Sequence, residues 1–172
     1  MNVPAYMTII TSDGKNLTEN ASDEASMGNA YQEEHKDKIR IFRIEHEILT
    51  NTNPQSGEPV GACLFNPYKI ICAVNRCKPL LLEEISKLTR FEQVSIEHYR
   101  FTSDQGKQLY YETTLTGAYL VRMKTIQPYV QNNDPTPATQ EMELWFSYHK
   151  INERHVIAST EGTHAWNKPR KD

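Results

Sequence analysis

Residues 93–129 read QVSIEHYRFTSDQGKQLYYETTLTGAYLVRMKTIQPY, and this stretch decides the fold class. Gln93 to Phe101 and Lys107 to Leu115 interleave β-branched and aromatic residues with polar ones, and Ser103-Asp104-Gln105-Gly106 between them is turn chemistry. The two runs predict a hairpin. Gly117 interrupts the pattern after Leu115, and Ala118 to Tyr129 predicts a continuing strand. Downstream, Met142, Leu144, Phe146 and Tyr148 alternate with polar residues between Glu141 and Ile151, the period of a strand with one dry face. Glu143, Ser147 and His149 fall on the opposite face, suited to solvent or a wet channel. His155 to Thr160 predicts a last short strand. A flexible tail over about residues 161–172, with Lys168, Arg170 and Lys171, is expected at the end.

Upstream, Pro4 to Ile10 predicts the first strand, and the polar, acidic stretch 15–37 has no sustained period and predicts a surface loop. In Lys38 to Leu49, Phe42, Ile44, His46 and Ile48 share one parity, while Ile39 and Ile41 hold the other. That switch predicts a bulge or a sheet corner. Residues 51–61, NTNPQSGEPVG, carry Pro54, Gly57, Pro59 and Gly61 in quick succession and predict an exposed loop longer than a hairpin needs. Leu64 to Val74 predicts another strand.

One helix is expected, from Pro79 to about Arg90, with Glu83 and Glu84 toward its start and Lys87 and Arg90 toward its end. Leu81, Leu82, Ile85 and Leu88 form its core stripe. Leu80 and Phe91 fall outside that stripe. Either Phe91 lies beyond the helix, or the two residues form a second surface that faces another subunit. Many strands with one helix predict a single, mainly β domain over 1–172. Its expected architecture is a closed or two-sheet β-barrel with one flanking α-helix and a long extended loop.

A hydrophobic share of 38% is low for a globular chain and agrees with polar loops and strands wet on one face. The net charge of −3 gives no general attraction to nucleic acid or anionic membranes. Three cysteines, Cys63, Cys72 and Cys77, make no disulfide framework and read as reduced, buried thiols of a protein folded in a cytoplasm. The opening MNVPAYMTII has no basic residue ahead of its short apolar run, so neither a cleaved signal peptide nor membrane insertion is expected. No nucleophile elbow, phosphate loop, dinucleotide fingerprint or paired zinc spacing occurs. His149 and His155 are too isolated a pair to predict a metal, and His46 reads as a satisfied core or interface histidine. Neither enzyme, metal nor cofactor is expected.

The motifs taken in order resemble the Hcp family of bacterial type VI secretion. NPQSGEPVG, Asn66-Pro67-Tyr68-Lys69 and the run Asn75 to Leu81 are similar to that family's D-P-Q-S-G-x-P-x-G, H-K-P-F-K-F and N-K-x-x-P-L-L. Ser26-Met27-Gly28 with His35 and Asp37 resembles its S-x-G…H-x-D segment. His98-Tyr99-Arg100, Gly106-Lys107-Gln108, Tyr110-Tyr111 and Thr113-x-Leu115 resemble its W-Y-R…G-K-Q…F-F-x-T-x-L hairpin. Ser147 to Ile151, then Thr160, Gly162 and Trp166, resemble its S-Y-x-K-I…T-x-G…W ending. The match runs in register along essentially the whole chain.

The resemblance implies a homo-hexameric ring that stacks into the secretion tube, meets spike and sheath components, and can carry small effector proteins in its lumen. It implies production in the bacterial cytoplasm and export without a cleaved signal peptide. It also implies that the extended loop reaches neighbouring subunits and contributes to stacking, through Asn53, Pro54, Gln55, Ser56, Gly57, Glu58, Pro59 and Gly61. Departures stand out at six residues. Cys63 and Phe65 replace an arginine and a histidine, Glu153 replaces a strand tryptophan, and His164-Ala165 replaces an acidic pair. Leu88 replaces a glycine that helps end the helix, which predicts a longer helix. Two alternatives remain open: a divergent ring that carries effectors but polymerises poorly, and a monomeric small-ligand β-barrel.

Overall fold

The computed structural model describes residues 3–129, 131 and 139–166. Ten strands and two α-helices succeed one another there: β1 (Ala5–Thr11), α1 (Glu24–Met27), β2 (Ile39–Glu45), β3 (Ile48–Thr52), β4 (Pro59–Phe65), β5 (Tyr68–Ala73), α2 (Cys77–Lys87), β6 (Arg90–Thr102), β7 (Gly106–Ile126), β8 (Glu141–Ser147), β9 (Lys150–His155) and β10 (Thr160–Ala165). The loop around Asp134, Pro135 and Pro137 and the basic residues Lys168, Arg170 and Lys171 lie outside the described residues.

The main sheet runs β10-β9-β7-β6-β1-β2-β5-β8, and β8 returns to pair with β7. Six strands therefore form a closed antiparallel circuit, which removes their free edges. The circuit is filled by side chains such as Met7, Ile9, Ile70, Leu144 and Phe146, each without solvent exposure. Among the described residues that filling is the packed interior of a small closed barrel. Strand β9 and then β10 continue outward from β7 as a flange.

The 21-residue strand β7 makes this two-part arrangement possible. Its first half, Tyr111 to Thr116, pairs with β9, and its second half, Tyr119 to Ile126, pairs with β8. Gly117 sits at the exchange with φ +61°, and the His149 N–H donates to the carbonyls of Thr116 and Gly117. The expected single strand over Glu141 to Ile151 is accordingly broken at Tyr148-His149. The predicted bulge in β2 is present as a register shift between Ile41 and Arg43, and it turns Phe42 outward and Ile44 toward the core.

Helix α2 packs across β7; it begins at Cys77, two residues before the expected Pro79, and ends at Lys87, before the expected Arg90. It buries Cys77 and Leu81, with Ile85 partly buried, whereas Leu82 and Leu88 are exposed, so the stripe is narrower than the sequence implied. Leu88 does not extend the helix. It adopts the left-handed conformation (φ 54°, ψ 42°), with its N–H on the Ile85 carbonyl and the Thr89 N–H on the Glu84 carbonyl. Two hydrogen bonds and the next strand impose a geometry that a glycine would reach without side-chain strain.

The expected flexible tail is also corrected, because Thr160 to Ala165 is strand β10. It pairs in unbroken register with β9 across a Val156–Ser159 turn, where a last strand over His155 to Thr160 was expected. Its residues 160–163 are exposed and carry no apolar alternation, so pairing alone makes the strand.

Candidate functional site

A long exposed segment lies between β2 and β5. It is not a loop but a second two-stranded sheet, β3 with β4, closed by residues 53–58. At its root the Asn66 N–H donates to the Glu47 carbonyl at 3.1 Å, and the His46 ring meets the Tyr148 hydroxyl at 2.8 Å. His46 is thus partly buried and satisfied, as its parity suggested. The ribbon then leaves the barrel.

The tip is built by side chains the sequence singled out. Asn53 donates its N–H to the Glu58 carbonyl and its carbonyl accepts from Gly57, both at 2.8 Å. Its Oδ1 also accepts from the Gln55 N–H at 2.9 Å, and Ser56 Oγ accepts from the Glu58 N–H at 3.3 Å. Gly57 (φ +73°) and Gly61 (φ +78°) occupy the left-handed region, the second at a bulge that lets four β4 residues span the interval of two β3 residues. Pro59 opens β4 opposite Thr52 at the end of the ladder, where a missing N–H is tolerated.

Every residue from 50 to 64 is exposed, including Val60 at 52% and Leu64 at 43%. A lone two-stranded ribbon is only marginally stable in water, and this one offers apolar side chains without a core beneath them. Cys63 belongs to the same exposed surface, contrary to the burial expected of all three cysteines. Cys72 and Cys77 are buried, and burial pushes the Cys77 thiol up to about 12.

The expected second surface divides. Leu80 is exposed on α2, beside Leu82 at 60% exposure. Phe91 is fully buried in β6 and packs edge-on against Phe146, so it belongs to the core and to no subunit surface. The helix ends before it, at Lys87, which returns its side chain to the strand period. What sequence reasoning missed is the fastening of 15–37. Leu17, Thr18, Ala21 and Ser22 are buried, so this segment is a tied-down cover rather than a surface loop.

Its ties come from a few polar and aromatic side chains. Asp37 accepts the Asn20 N–H at 2.9 Å, and Ser26 Oγ accepts the Arg76 N–H at 3.0 Å, joining the cover to the start of α2. His35 stacks on Tyr6 with centroids 3.9 Å apart, and the Lys107 ammonium donates to its Nε2 at 2.6 Å. Burial first, and Lys107 second, hold His35 below the ordinary imidazole range. A nitrogen that accepts from an ammonium must be unprotonated, so geometry and charge agree.

Known proteins share this architecture. A family model described as "Type VI secretion system effector, Hcp" matches residues 6–155. The chain belongs to the Hcp family. It is 32% identical to the "Major exported protein" of Pseudomonas aeruginosa over 169 residues, 98% of each chain. A crystal structure of an Hcp protein superposes with a TM-score of 0.90 at 28% identity, covering 97% of this chain and 99% of that one. Secreted protein Hcp3 from Pseudomonas aeruginosa gives 0.79 at 28% identity, over 96% and 99%. The Hcp motif residues Ser26, His35 and Asp37 are the fasteners of the cover.

Two of the departures from the Hcp pattern meet in space. Phe65, at the end of β4, stacks face to face on His164 of β10 with centroids 3.8 Å apart and planes 3° from parallel. Trp166 stands edge-on to both at 5.8 and 5.7 Å. An aromatic clasp therefore joins the hairpin root to the flange. The motif pattern has a histidine and a carboxylate at these two positions.

Proposed function

We propose that this chain is the repeating structural subunit of a type VI secretion tube, closing as a homo-hexamer into rings that stack through the β3–β4 hairpin. Family membership supports the tube role, and the "Major exported protein" relative supports export. The observation that carries the stacking assignment is the hairpin itself, an ordered ribbon exposed from residue 50 to 64 with apolar side chains at Val60 and Leu64. Such a ribbon gains its second surface only from another molecule. Pro54 and Pro59 restrict the free chain, so less entropy is lost when the tip docks. The outward Leu80 face of α2 is a second contact between copies.

In this role the rings enclose a lumen that takes small effector proteins, and spike and sheath components meet the tube. The chain is made in the bacterial cytoplasm and is exported from it, as the relative's name suggests. Among the described residues no helix is long and apolar enough to cross a membrane. The role is mechanical and needs no cofactor or catalysis.

Replacing Asn53–Gly61 by a short Gly-Ser turn tests the reading. The barrel and the closed ring persist by circular dichroism and native mass spectrometry, while tubes disappear in electron micrographs and secretion stops. Tubes as abundant as those of the wild type would remove the hairpin from the stacking interface. The alternative of a ring that carries effectors but polymerises poorly is motivated by Cys63, which stands on the hairpin where the motif pattern has an arginine. Rings without tubes from the unmodified chain would favour it.

A further inference from the structure

Three motif residues that the tube role leaves without a task meet at one place. His35 comes from the stretch resembling S-x-G…H-x-D, Tyr99 from W-Y-R and Lys107 from G-K-Q. Tyr6 of β1 completes the group. The His35 ring stacks on Tyr6 at 3.9 Å and lies 5.2 Å from Tyr99, whose ring stands edge-on to Tyr6 at 5.8 Å. The Lys107 ammonium lies 4.7 and 5.0 Å from the centres of the two tyrosine rings. It donates to the Tyr6 hydroxyl at 3.2 Å and to His35 Nε2 at 2.6 Å.

This arrangement holds only a neutral imidazole. Once protonated, His35 confronts Lys107 as donor against donor and charge against charge, and both compete for the same tyrosine faces. The charged groups facing His35 are Glu34 and Lys38 on its own segment, Glu97 on β6 and Lys107 on β7. Glu97 is already engaged, by Lys38 at 2.5 Å and by the Tyr99 hydroxyl at 2.8 Å. Glu34 stands 3.9 Å from Lys107 with its side chain 82% exposed, where water screens it. Burial first, then Lys107 and Lys38, outweigh the two carboxylates and hold His35 below its ordinary 6.5. Of the two cations, Lys107 is the fixed one, because its backbone pairs with Phe101 in the β6–β7 ladder. His35 ends a single 3-10 turn, Glu33–His35, that buries no residue. Backbone bonds anchor the turn on either side. The Gln32 N–H donates to the Ser22 carbonyl and the Ser22 N–H to the Lys36 carbonyl, both at 2.9 Å.

We infer that the turn Glu33–His35 is an acid-released latch. Protonation of His35 expels its ring from between Tyr6 and Lys107, the turn swings out about Gln32 and Lys36, and the faces of Tyr6 and Tyr99 are bared. The latch stands on this cluster and does not depend on the tube reading.

Two backbone amides report the opening. The His35 N–H is bonded to the Gln32 carbonyl and the Lys38 N–H to the His35 carbonyl, both at 3.1 Å. Their hydrogen exchange is followed against pH while the His35 ring is titrated by NMR in the same labelled chain. An opened turn titrates near 6.5, so linkage fixes the size of the effect. Corrected for intrinsic exchange, protection at both amides falls about tenfold for each pH unit by which the closed imidazole titrates lower. Amides of β6 keep theirs. Lys107→Met retains the alkyl stem over the rings and removes the charge. In that variant the His35 midpoint moves up toward 6.5 and the acid loss of protection disappears. The wild-type relation needs no variant, so it decides even if Lys107→Met folds poorly by circular dichroism. Protection at His35 and Lys38 that ignores the imidazole titration, or an acid loss undiminished in a folded Lys107→Met chain, overturns the latch.

Discussion

Leu88 and Gly117 are single residues whose backbone geometry runs against or with their side chains. Leu88 holds a left-handed conformation with its side chain 75% exposed, so it takes the strain and gains little burial in the chain itself. Leu88→Gly is expected to stabilise the fold by about 1 kcal/mol, the left-handed penalty less the added chain entropy of glycine. In a chain of this size that raises Tm by about 2–4 °C in a calorimetric scan. A lowered Tm would mean that Leu88 is packed in solution. Gly117 is the opposite case. A Cβ there meets Arg90 Nη2 at 2.7 Å and His149 Cβ at 3.1 Å, at φ +61°. Gly117→Ala is expected to lose about 2 kcal/mol by denaturant titration, since both the conformation and the space resist it. The interruption at Gly117 is legible in the sequence. Its reason, a change of partner strand, is a long-range fact. Leu88 misleads because local propensity carries no information about where the next strand must begin.

At the scale of elements, strands with one dry face are legible and strands without one are not. β8 declares itself through Met142, Leu144 and Phe146, all fully buried. β10 and the distal part of β3–β4 are largely exposed, so their sequences lack alternation, and prolines and glycines read as loop. Helix α2 shows in its charges and its early proline, but its apolar face is overcounted because Leu82 and Leu88 look inward only on a helical wheel. The clasp is a property of two elements together. Phe65 and His164 are far apart in the chain, and nothing in either neighbourhood announces the stack. Phe65→Ala is expected to leave the barrel's Tm within a few degrees while the β10 amides exchange markedly faster with deuterated water. The barrel circuit does not include Phe65, whereas β10 is held by one strand and this clasp. Unchanged exchange in β10 would show that the β9 pairing alone suffices.

For the whole molecule, the closed circuit is legible as many strands with one helix, whereas the acid response depends on contacts no linear pattern displays. His35, His46 and His98 come from the cover, the hairpin root and the barrel wall, and burial is the leading cause that lowers proton affinity in all three. Two have a further local reason to stay neutral. The Lys107 ammonium donates to His35, and His98 Nε2 is buried without a partner among the described residues, whereas for His46 burial outweighs Glu153 and the Asn66 backbone, which favour the proton. In the unfolded chain all three return toward the ordinary value of 6.5. As pH falls below that value, the unfolded chain takes up protons that the folded chain refuses. The stability is therefore present above 6.5 and is lost progressively as pH falls through the lowered folded values. Tm is expected to drop between about pH 7 and about pH 5, where carboxylates are still largely ionised. Replacing His35, His46 and His98 singly by Gln should flatten that slope by a part each, because Gln can hydrogen-bond but cannot take up the proton. The His35 change carries a further signature. Wild-type amides of the 15–37 cover should exchange faster at the acid end, because a protonated His35 repels Lys107, and His35→Gln should abolish that acceleration. A Tm independent of pH across this interval, in wild type and variants alike, would show that the three imidazoles titrate identically in the folded and unfolded chain.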